Sequence, residues 1–327
     1  MTRLNLPMKY DYQDKYLIFD NPKARSIRRK CKTVLNRFDN LYYKLVYKFS
    51  RPHHHNNCKY NVSVCAIFKD ESDYLIEWIE FHMIVGIEHF YLYNNASTDD
   101  YLEVLKPYID QEMVTLYEWP KPQSQMEAYE HCVTFHSQET QWIGFIDLDE
   151  YIVPNTTDNI GDFLKGFLNR PSVIVYWRCF GTSGFTSREK KGLLIEDFTV
   201  SWPKYSDIGK FFFNTSFDYY PEYKKNNYMH YMWAKNNNTI LPPVNVFDNV
   251  CTHNCNPVKN NEMPVQINHY LLKSYDEYIT KKAKRGGGVN PVGVHDLSYF
   301  YEHEMKCCKV DYHAYKYLIK LKIAMND

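Results

Sequence analysis

An apolar run that ends in three carboxylates is the feature that most constrains this chain. Residues 142–146 predict a short buried strand, and Asp147, Asp149 and Glu150 follow it. In an open α/β sheet, ligands bind beyond the carboxyl ends of the strands, so these carboxylates would lie where a substrate binds. Side chains alternate along a strand, so we expect Asp147 and Asp149 to share a face and Leu148 to point into the core. The pattern favours an α/β fold with a polar site at this edge.

The two aspartates predict a site for a hard metal ion. Carboxylates this close repel one another unless a cation neutralises them. Oxygen ligands select Mg²⁺ or Mn²⁺ over zinc or copper, and such an ion also binds a diphosphate. A solvated acidic strand end is the alternative for an isolated Asp-x-Asp sequence, and the surrounding segments must decide between the two.

The surrounding segments alternate between strand and helix patterns. We predict strands at 62–68, 89–94, 114–118, 142–147 and 173–177, and helices at 72–85, 100–109 and 125–137. This order indicates a mostly parallel sheet covered on both faces. Neither a Gly-x-Gly-x-x-Gly fingerprint nor a Walker sequence occurs, so a nucleotide would be bound without the common glycine-rich phosphate loops.

Five segments share their order and their motifs with one group of enzymes: residues 64–82, 86–99, 147–154, 177–184 and 267–274. The sequence Asp147-Leu-Asp-Glu-Tyr resembles the Asp-x-Asp-Glu-Phe segment of glycosyltransferase family 92 and of the related family-2-like transferases. The resemblance covers roughly residues 60–290. It departs from the pattern at Asp70, where these enzymes usually carry Asn, and at Asn95, where family 2 usually carries Asp. It implies a GT-A type nucleotide-sugar-binding fold, with a central mostly parallel sheet flanked by helices.

The resemblance also implies roles for individual residues. Mn²⁺ or Mg²⁺ would be bound by Asp147, Asp149 and His269, of which His269 resembles the C-terminal histidine that reaches back to the metal in GT-A enzymes. The loop of Gly181, Thr182, Ser183 and Gly184 would contact the acceptor or the sugar. The nucleotide-sugar donor would be bound by Lys69, Asp70, Glu71, Asn94, Asn95, Gln125, Asp147 and Lys273.

An inverting transferase also needs a carboxylate that accepts the proton of the acceptor hydroxyl. Glu196 is one candidate for this base, and a purely structural anion is the alternative.

Two other groups of residues could bind a metal. Cys251, His253 and Cys255 offer three zinc ligands within five residues, but zinc sites normally have four ligands, and no convincing second pair is present. The three consecutive histidines at 53–55 are more typical of a polar linker. Neither group displaces the aspartates as the preferred metal site.

Residues 1–57 predict a basic helical extension outside the resemblance. Between residues 22 and 51 there are ten Lys or Arg and one acid, Asp39, and apolar residues from Ile27 to Phe49 recur at helical spacing. Such a helix is suited to peripheral contact with an anionic membrane surface. Alternatively, its apolar stripe packs against the catalytic domain, which we place at 58–300. We expect a C-terminal helix within 301–327, packed on the core.

Charge and cysteine usage bound the function further. The formal net charge is +0, which gives no reason to expect a nucleic-acid partner. Nine scattered cysteines do not resemble a disulfide framework and favour a reducing compartment. Neither a signal-peptide core nor a run of about 18 apolar residues is visible, so we expect a cytoplasmic protein, peripheral to a membrane at most.

The resemblance therefore predicts a metal-dependent glycosyltransferase. It would move a sugar from a nucleotide donor, a UDP-sugar, to a hydroxyl group of a glycan or glycoconjugate, with inversion. Two alternatives remain. A metal-dependent nucleotidyltransferase or phosphodiesterase also uses paired aspartates, and a degenerate glycan-binding module would retain the aromatic residues without catalysis.

Overall fold

The computed structural model describes most of the 327-residue chain: residues 17–18, 27–50, 52, 58–188, 192–220, 230–252, 262–285 and 293–326. The α-helices are α1 (Ile27–Phe49), α2 (Ser72–Ile84), α3 (Tyr101–Asp110), α4 (Gln125–His136), α5 (Ile160–Leu164), α6 (Leu194–Asp197), α7 (Tyr275–Glu277), α8 (Ala283–Arg285), α9 (Leu297–Glu304) and α10 (Leu318–Ala324). Short 3₁₀ helices at Lys165–Phe167 and His313–Tyr317 and a π-helical turn at Tyr278–Lys282 connect some of them.

The strands are β1 (Tyr60–Phe68), β2 (His89–Asn94), β3 (Val114–Glu118), β4 (Thr140–Phe145), β5 (Glu150–Pro154), β6 (Ser172–Cys179), β7 (Val200–Ser201), β8 (Gly209–Asn214), β9 (Asp218–Tyr219), β10 (Ala234–Asn236), β11 (Thr239–Leu241), β12 (Val244–Asn245), β13 (Val265–His269) and β14 (Lys309–Val310). Nine of them form one sheet in the order β3-β2-β1-β4-β8-β6-β13-β5, with β12 paired to β6.

The large sheet is mixed and mostly parallel. Strands β1 to β4 pair in parallel, whereas β8 lies antiparallel between β4 and β6. Every residue of β2 is buried, as expected for a parallel strand that is covered on both faces. This arrangement confirms the predicted α/β class with a central, mostly parallel sheet flanked by helices.

Strands β2 and β3 have the predicted bounds, but β4 ends at Phe145, two residues before the prediction. Residues 147–149 lie in a turn, closed by the Glu150 backbone N–H, which donates to the Asp147 carbonyl at 3.1 Å. Strand alternation was therefore the wrong reason for expecting Asp147 and Asp149 on one face. Leu148 is nevertheless buried, as predicted.

Two later strands bring distant residues to the carboxylates. Strand β8 crosses close to β6 at Gly209, where an added Cβ would overlap the backbone of Val175. Strand β13 pairs in parallel with β6 and antiparallel with β5, which places His269 opposite both Cys179 and Glu150. The sheet edge with the carboxylates is thus completed by residues more than 100 positions away.

The two ends of the chain differ in how they pack. The region predicted as one C-terminal helix begins with β14 and a 3₁₀ helix before α10, and the Tyr317 hydroxyl at the start of α10 donates to the Pro154 carbonyl at 3.1 Å. Helix α1 lies within the predicted extension. Val46 of its predicted apolar stripe packs on the core, whereas the other large side chains of that stripe, from Val34 to Leu45 and Phe49, are more than half exposed. The domain boundaries at 57 and 300 stay predictions, and α9 spans the second.

Among the described residues, no helix is both long enough and apolar enough to cross a membrane.

Candidate active site

A cavity of about 430 Å³ opens where several strands of the large sheet end. Its lining comes from the loops after β1 and β2, the turn after β4, the ends of β6 and β13, and α9. Ligand sites of α/β sheets lie at this edge. The cavity contains seven of the residues singled out from the sequence: Lys69, Glu71, Asn95, Gln125, Asp147, Asp149 and His269.

Asp149, Glu150 and His269 form a compact cluster of potential metal ligands. One ligand atom of each lies within 4.8 Å of the others. The Nε2 atom of His269 is 3.5 Å from Oδ1 of Asp149. Among the described residues, His269 Nδ1 and Glu150 Oε1 are buried without a hydrogen-bond partner. Two carboxylates and an imidazole with such unpartnered atoms suit a divalent ion such as Mn²⁺.

Asp147 lies in the same cavity but is held by other groups. Its Oδ1 accepts a hydrogen bond from Gln125 Nε2 at 2.5 Å, and its Oδ2 lies 2.9 Å from the Lys210 ammonium. It is not part of the compact cluster, in which Glu150 takes the third place. The sequence therefore identified two of the three clustered residues, Asp149 and His269. The register between β5 and β13, which only the tertiary structure reveals, brings in Glu150.

Two lysines partly neutralise the carboxylates. Burial alone would lower the pKa of Lys210, but Asp147 and Glu150 outweigh it and hold that pKa well above its usual value. Burial opposes ionisation of Asp149, yet Lys282 and His269 hold its pKa well below the usual range. Burial raises the pKa of Glu150 despite the nearby Lys210. The carboxyl groups of Asp147, Asp149 and Glu150 are thus close to the ammonium groups of Lys210 and Lys282, with which a bound cation would compete.

Lys282, and not Lys273, lies beside the carboxylates of the cavity. Its ammonium lies 3.0 Å from Asp149 Oδ2 and donates to the Leu271 carbonyl at 2.9 Å. It belongs to the π-helical turn, an element often found at functional sites. Lys273 does not line the cavity; it pairs with Glu71 at 3.1 Å and lies 3.4 Å from the centre of the Tyr74 ring. Lys281, Lys282, Lys284 and Arg285 form a basic stretch after Tyr278, but the sequence does not indicate which of these side chains points into the cavity.

Asp70 and Asn94 join the loops beneath the cavity without lining it. Asp70 has φ of 51°, a left-handed conformation that Asp and Asn tolerate better than most residues. Its carboxylate accepts from the Thr98 backbone N–H at 2.7 Å. Asn94 is buried and donates to Glu118 at 2.7 Å. Asp70 thus holds the β1 and β2 loops together, and Asn94 joins the end of β2 to the end of β3. The backbone conformation explains why Asp can replace Asn at position 70.

The Gly181–184 loop supports the cavity from behind. Thr182 donates through its backbone N–H and its hydroxyl to Glu304, at 2.8 and 2.7 Å, and a Cβ at Gly181 would collide with the same carboxylate. The Ser183 hydroxyl accepts from the Thr199 N–H at 2.9 Å. None of the four loop residues, 181–184, lines the cavity. The loop fixes the end of α9, and the sugar contact expected for it stays a prediction.

Helix α9, His295 just before it and Trp202 just after β7 supply an aromatic wall that the sequence analysis missed. His295, Tyr299 and His303 recur every fourth residue and line the cavity together. The rings of Trp202 and His303 stack with centroids 5.4 Å apart. The four-residue spacing was a possible signal, but it required knowing that α9 borders the site. With Trp177, these rings form a surface suited to a sugar.

Glu196, the candidate base, lies elsewhere. Its carboxylate is 2.5 Å from the Lys322 ammonium of α10 and does not line the cavity. This placement gives no support to a role as base. The described carboxylates that do line the cavity are Glu71, Asp147 and Asp149. The possible zinc ligands His253 and Cys255 and the histidines at 53–55 lie outside the described residues.

Comparison with known proteins matches most of the chain to one family. The model of Glycosyltransferase family 92 matches residues 59–286. A family 92 protein of Oryza sativa subsp. japonica is 30% identical over 138 residues, which are 41% of this chain and 24% of that protein. A beta-1,4-galactosyltransferase of Caenorhabditis elegans is 29% identical over 109 residues, which are 29% of this chain and 26% of that protein. The chain thus spans about a quarter of the length of these relatives.

Among solved structures, S. aureus TarS 1–349 in complex with UDP-GlcNAc aligns with 52% of this chain and 48% of that chain. The sequence identity is 13% and the TM-score is 0.33.

Proposed function

The chain belongs to glycosyltransferase family 92, and on that premise we propose that it transfers a sugar from a nucleotide donor to a hydroxyl group of a glycan or glycoconjugate. The donor is a UDP-sugar, the reaction depends on a divalent metal, and the anomeric centre is inverted. The observation that carries the proposal is the cluster of Asp149, Glu150 and His269, of which Asp149 and His269 line the cavity together with Lys282.

The charges of the cavity suit a diphosphate-bearing donor together with a cation. Asp149 lines the cavity beside Lys282, so a cation on the carboxylate and the lysine would both face the phosphates. Asp149, Glu150 and His269 would hold Mn²⁺ or Mg²⁺, which when bound supplies Lewis-acid stabilisation of the leaving diphosphate. Lys282 would face the same phosphates, because its second contact to the Leu271 carbonyl keeps it at the cavity.

The rest of the cavity suits the two substrates. Lys69, Glu71, Asn95 and Gln125 offer charged and amide groups for the nucleoside part of the donor. The aromatic wall of α9 offers ring faces to the acceptor sugar. In a single displacement, the acceptor oxygen bonds to the anomeric carbon as the bond to the diphosphate breaks, and a carboxylate accepts the hydroxyl proton. The carboxylates that line the cavity are the candidates for that step.

A panel of nucleotide sugars tests the proposal. The full chain is incubated with each donor, with Mn²⁺ or with a chelator, and with or without glycan acceptors, and the nucleotide product is identified by chromatography. We expect UDP to be released from one UDP-sugar, in an Mn²⁺-dependent reaction that an acceptor accelerates. Release of UMP or pyrophosphate would indicate the phosphodiesterase or nucleotidyltransferase alternative. Sugar binding that does not depend on Mn²⁺, without UDP release from any donor, would indicate a non-catalytic glycan-binding module.

A further inference from the structure

Helix α1 is attached to the body of the protein through one face. Tyr47 is buried, and its hydroxyl donates to the Pro242 carbonyl at 2.7 Å. Asn40 accepts from the Val250 backbone N–H at 2.9 Å. Further along the same face, the hydroxyl of Thr252 donates to Asn36 at 2.9 Å and to Asp39 at 2.6 Å. Residues 36, 40, 43 and 47 recur at three to four positions, so this face is a continuous strip along the helix.

The opposite face of α1 is apolar and faces outward. Its large side chains are between 51% and 79% exposed and also recur at helical spacing: Val34, Leu35, Phe38, Leu41, Tyr42, Leu45 and Phe49. No described part of the protein covers this stripe. Burial of so many large apolar side chains is the usual reason for an amphipathic helix, and contiguous apolar patches on a protein surface mark interaction sites.

The charges around the stripe are almost all positive. Arg37 and Lys48 follow its edge and are exposed, whereas Lys44, on the same edge, pairs with Asp248 of the body at 3.5 Å. Asp39, the one acid between residues 22 and 51, is bound to Thr252 on the attached side. The outward surface therefore combines apolar side chains with basic ones, which complements an anionic surface with an apolar layer beneath it.

We propose that α1 lies in the plane of an anionic lipid surface, with its apolar stripe buried among the lipids and Arg37 and Lys48 at the headgroups. A second copy of the chain fits less well. Two such stripes packed antiparallel would bring the basic edges of the two helices together, and like charges across an interface oppose binding. Because α1 is fixed to the body by hydrogen bonds of its other face, binding would also orient the whole protein on the membrane.

Vesicle binding of the full chain tests this proposal independently of any enzymatic activity. Vesicles of phosphatidylcholine with about 30 mol% phosphatidylserine are compared with pure phosphatidylcholine in a flotation assay. We expect binding to the anionic vesicles that weakens as salt is raised, and little binding to the neutral ones. The variant F38E/L45E should bind about tenfold more weakly or worse, and R37E/K48E should lose the preference for anionic lipid.

The matched control is I319E/I323E, which places the same charges on exposed apolar positions of α10, at 69% and 58% exposure. It should bind as the unaltered chain does. Thermal unfolding checks that each variant remains folded, since none of the altered side chains is buried. Equal vesicle binding by F38E/L45E and the unaltered chain would overturn the proposal. Two other results would also overturn it. The first is an unaltered chain that does not bind vesicles but forms a dimer, which the F38E/L45E substitutions dissociate. The second is burial of the stripe under the first 26 residues, detected by hydrogen exchange.

Discussion

The ammonium of Lys282 lies 3.0 Å from Oδ2 of Asp149, although 133 residues separate them in the chain. The π-helical turn that carries Lys282 thus delivers a cation to a carboxylate that would also bind a metal. Lysine and metal compete for the negative charge of Asp149, whereas a diphosphate would attract both. This relationship leads to opposite expectations for metal binding and for sugar transfer.

Replacing Lys282 with Met should separate these two effects. Without the competing ammonium, Mn²⁺ should bind more tightly in the absence of donor, measured by calorimetry. Sugar transfer should slow by about tenfold or more, because the lysine faces charge that grows on the leaving diphosphate. Lys281→Met is the control, since Lys281 pairs with Asp73 at the surface. Unchanged metal affinity together with unchanged transfer in Lys282→Met would refute this role.

The ligand set of the metal can be decided by three single substitutions. Asp149→Asn and Glu150→Gln should each remove the Mn²⁺ dependence of UDP binding, because both residues belong to the compact cluster with His269. Asp147→Asn should retain that dependence, because Asp147 is held by Gln125 and Lys210. Calorimetry with UDP, with and without Mn²⁺, gives the answer, and circular dichroism confirms folding. Loss of the dependence in Asp147→Asn, with Glu150→Gln unaffected, would restore the set predicted from the sequence.

These cases also indicate how far sequence reasoning reaches. Apolar runs predicted the bounds of β2 and β3, because local burial determines them. The family motifs predicted Asp149 and His269. Glu150, Lys282 and the aromatic wall depend on the register of β13 and on where α9 packs, which no local pattern encodes. The outward apolar stripe of α1 depends on which face finds hydrogen-bond partners on the body.

Removal of the buried Lys210 ammonium should destabilise the fold. Lys210 lies 2.9 Å from Asp147 and 3.9 Å from Glu150, so Lys210→Met would leave two buried or half-buried carboxylates without their cation. The free energy of unfolding should fall by about 3 kcal/mol, measured by urea titration. The double variant K210M/E150Q should recover part of that loss, because one buried negative charge is removed as well. If the changes in the free energy of unfolding caused by K210M and E150Q simply add in the double variant, Lys210 and Glu150 do not interact.

Glu77 should make stability depend on pH. Its carboxylate accepts the Leu194 backbone N–H at 2.9 Å, and burial raises its pKa to about 7. Below pH 4.5, the usual pKa of a glutamate, the Glu77 carboxyl group is protonated in both the folded and the unfolded chain. Between pH 4.5 and about 7 it is protonated only in the folded chain. Stability should therefore fall as pH rises from about 5 to about 7 and then level off. In Glu77→Gln this fall should be smaller. If the free energies of unfolding of the unaltered chain and of Glu77→Gln, measured by denaturant titration, depend on pH in the same way, Glu77 does not cause the effect.

Substitution of Trp202 should weaken acceptor binding and leave UDP release from the donor unchanged. Its indole N–H donates to the His303 carbonyl at 3.1 Å and its ring stacks on the His303 ring, so it forms part of the aromatic wall. Trp202→Ala should raise the acceptor KM by about tenfold, because a ring face that packs on the sugar is lost. UDP release without acceptor should stay unchanged, since the metal cluster and Lys282 are supplied by other elements. Trp202→Phe keeps a ring but loses the hydrogen bond, so its acceptor KM should lie between those of Trp202→Ala and the unaltered chain. If UDP release without acceptor falls as much as transfer does, Trp202 supports the structure of the whole site, and its assignment to the acceptor side is wrong.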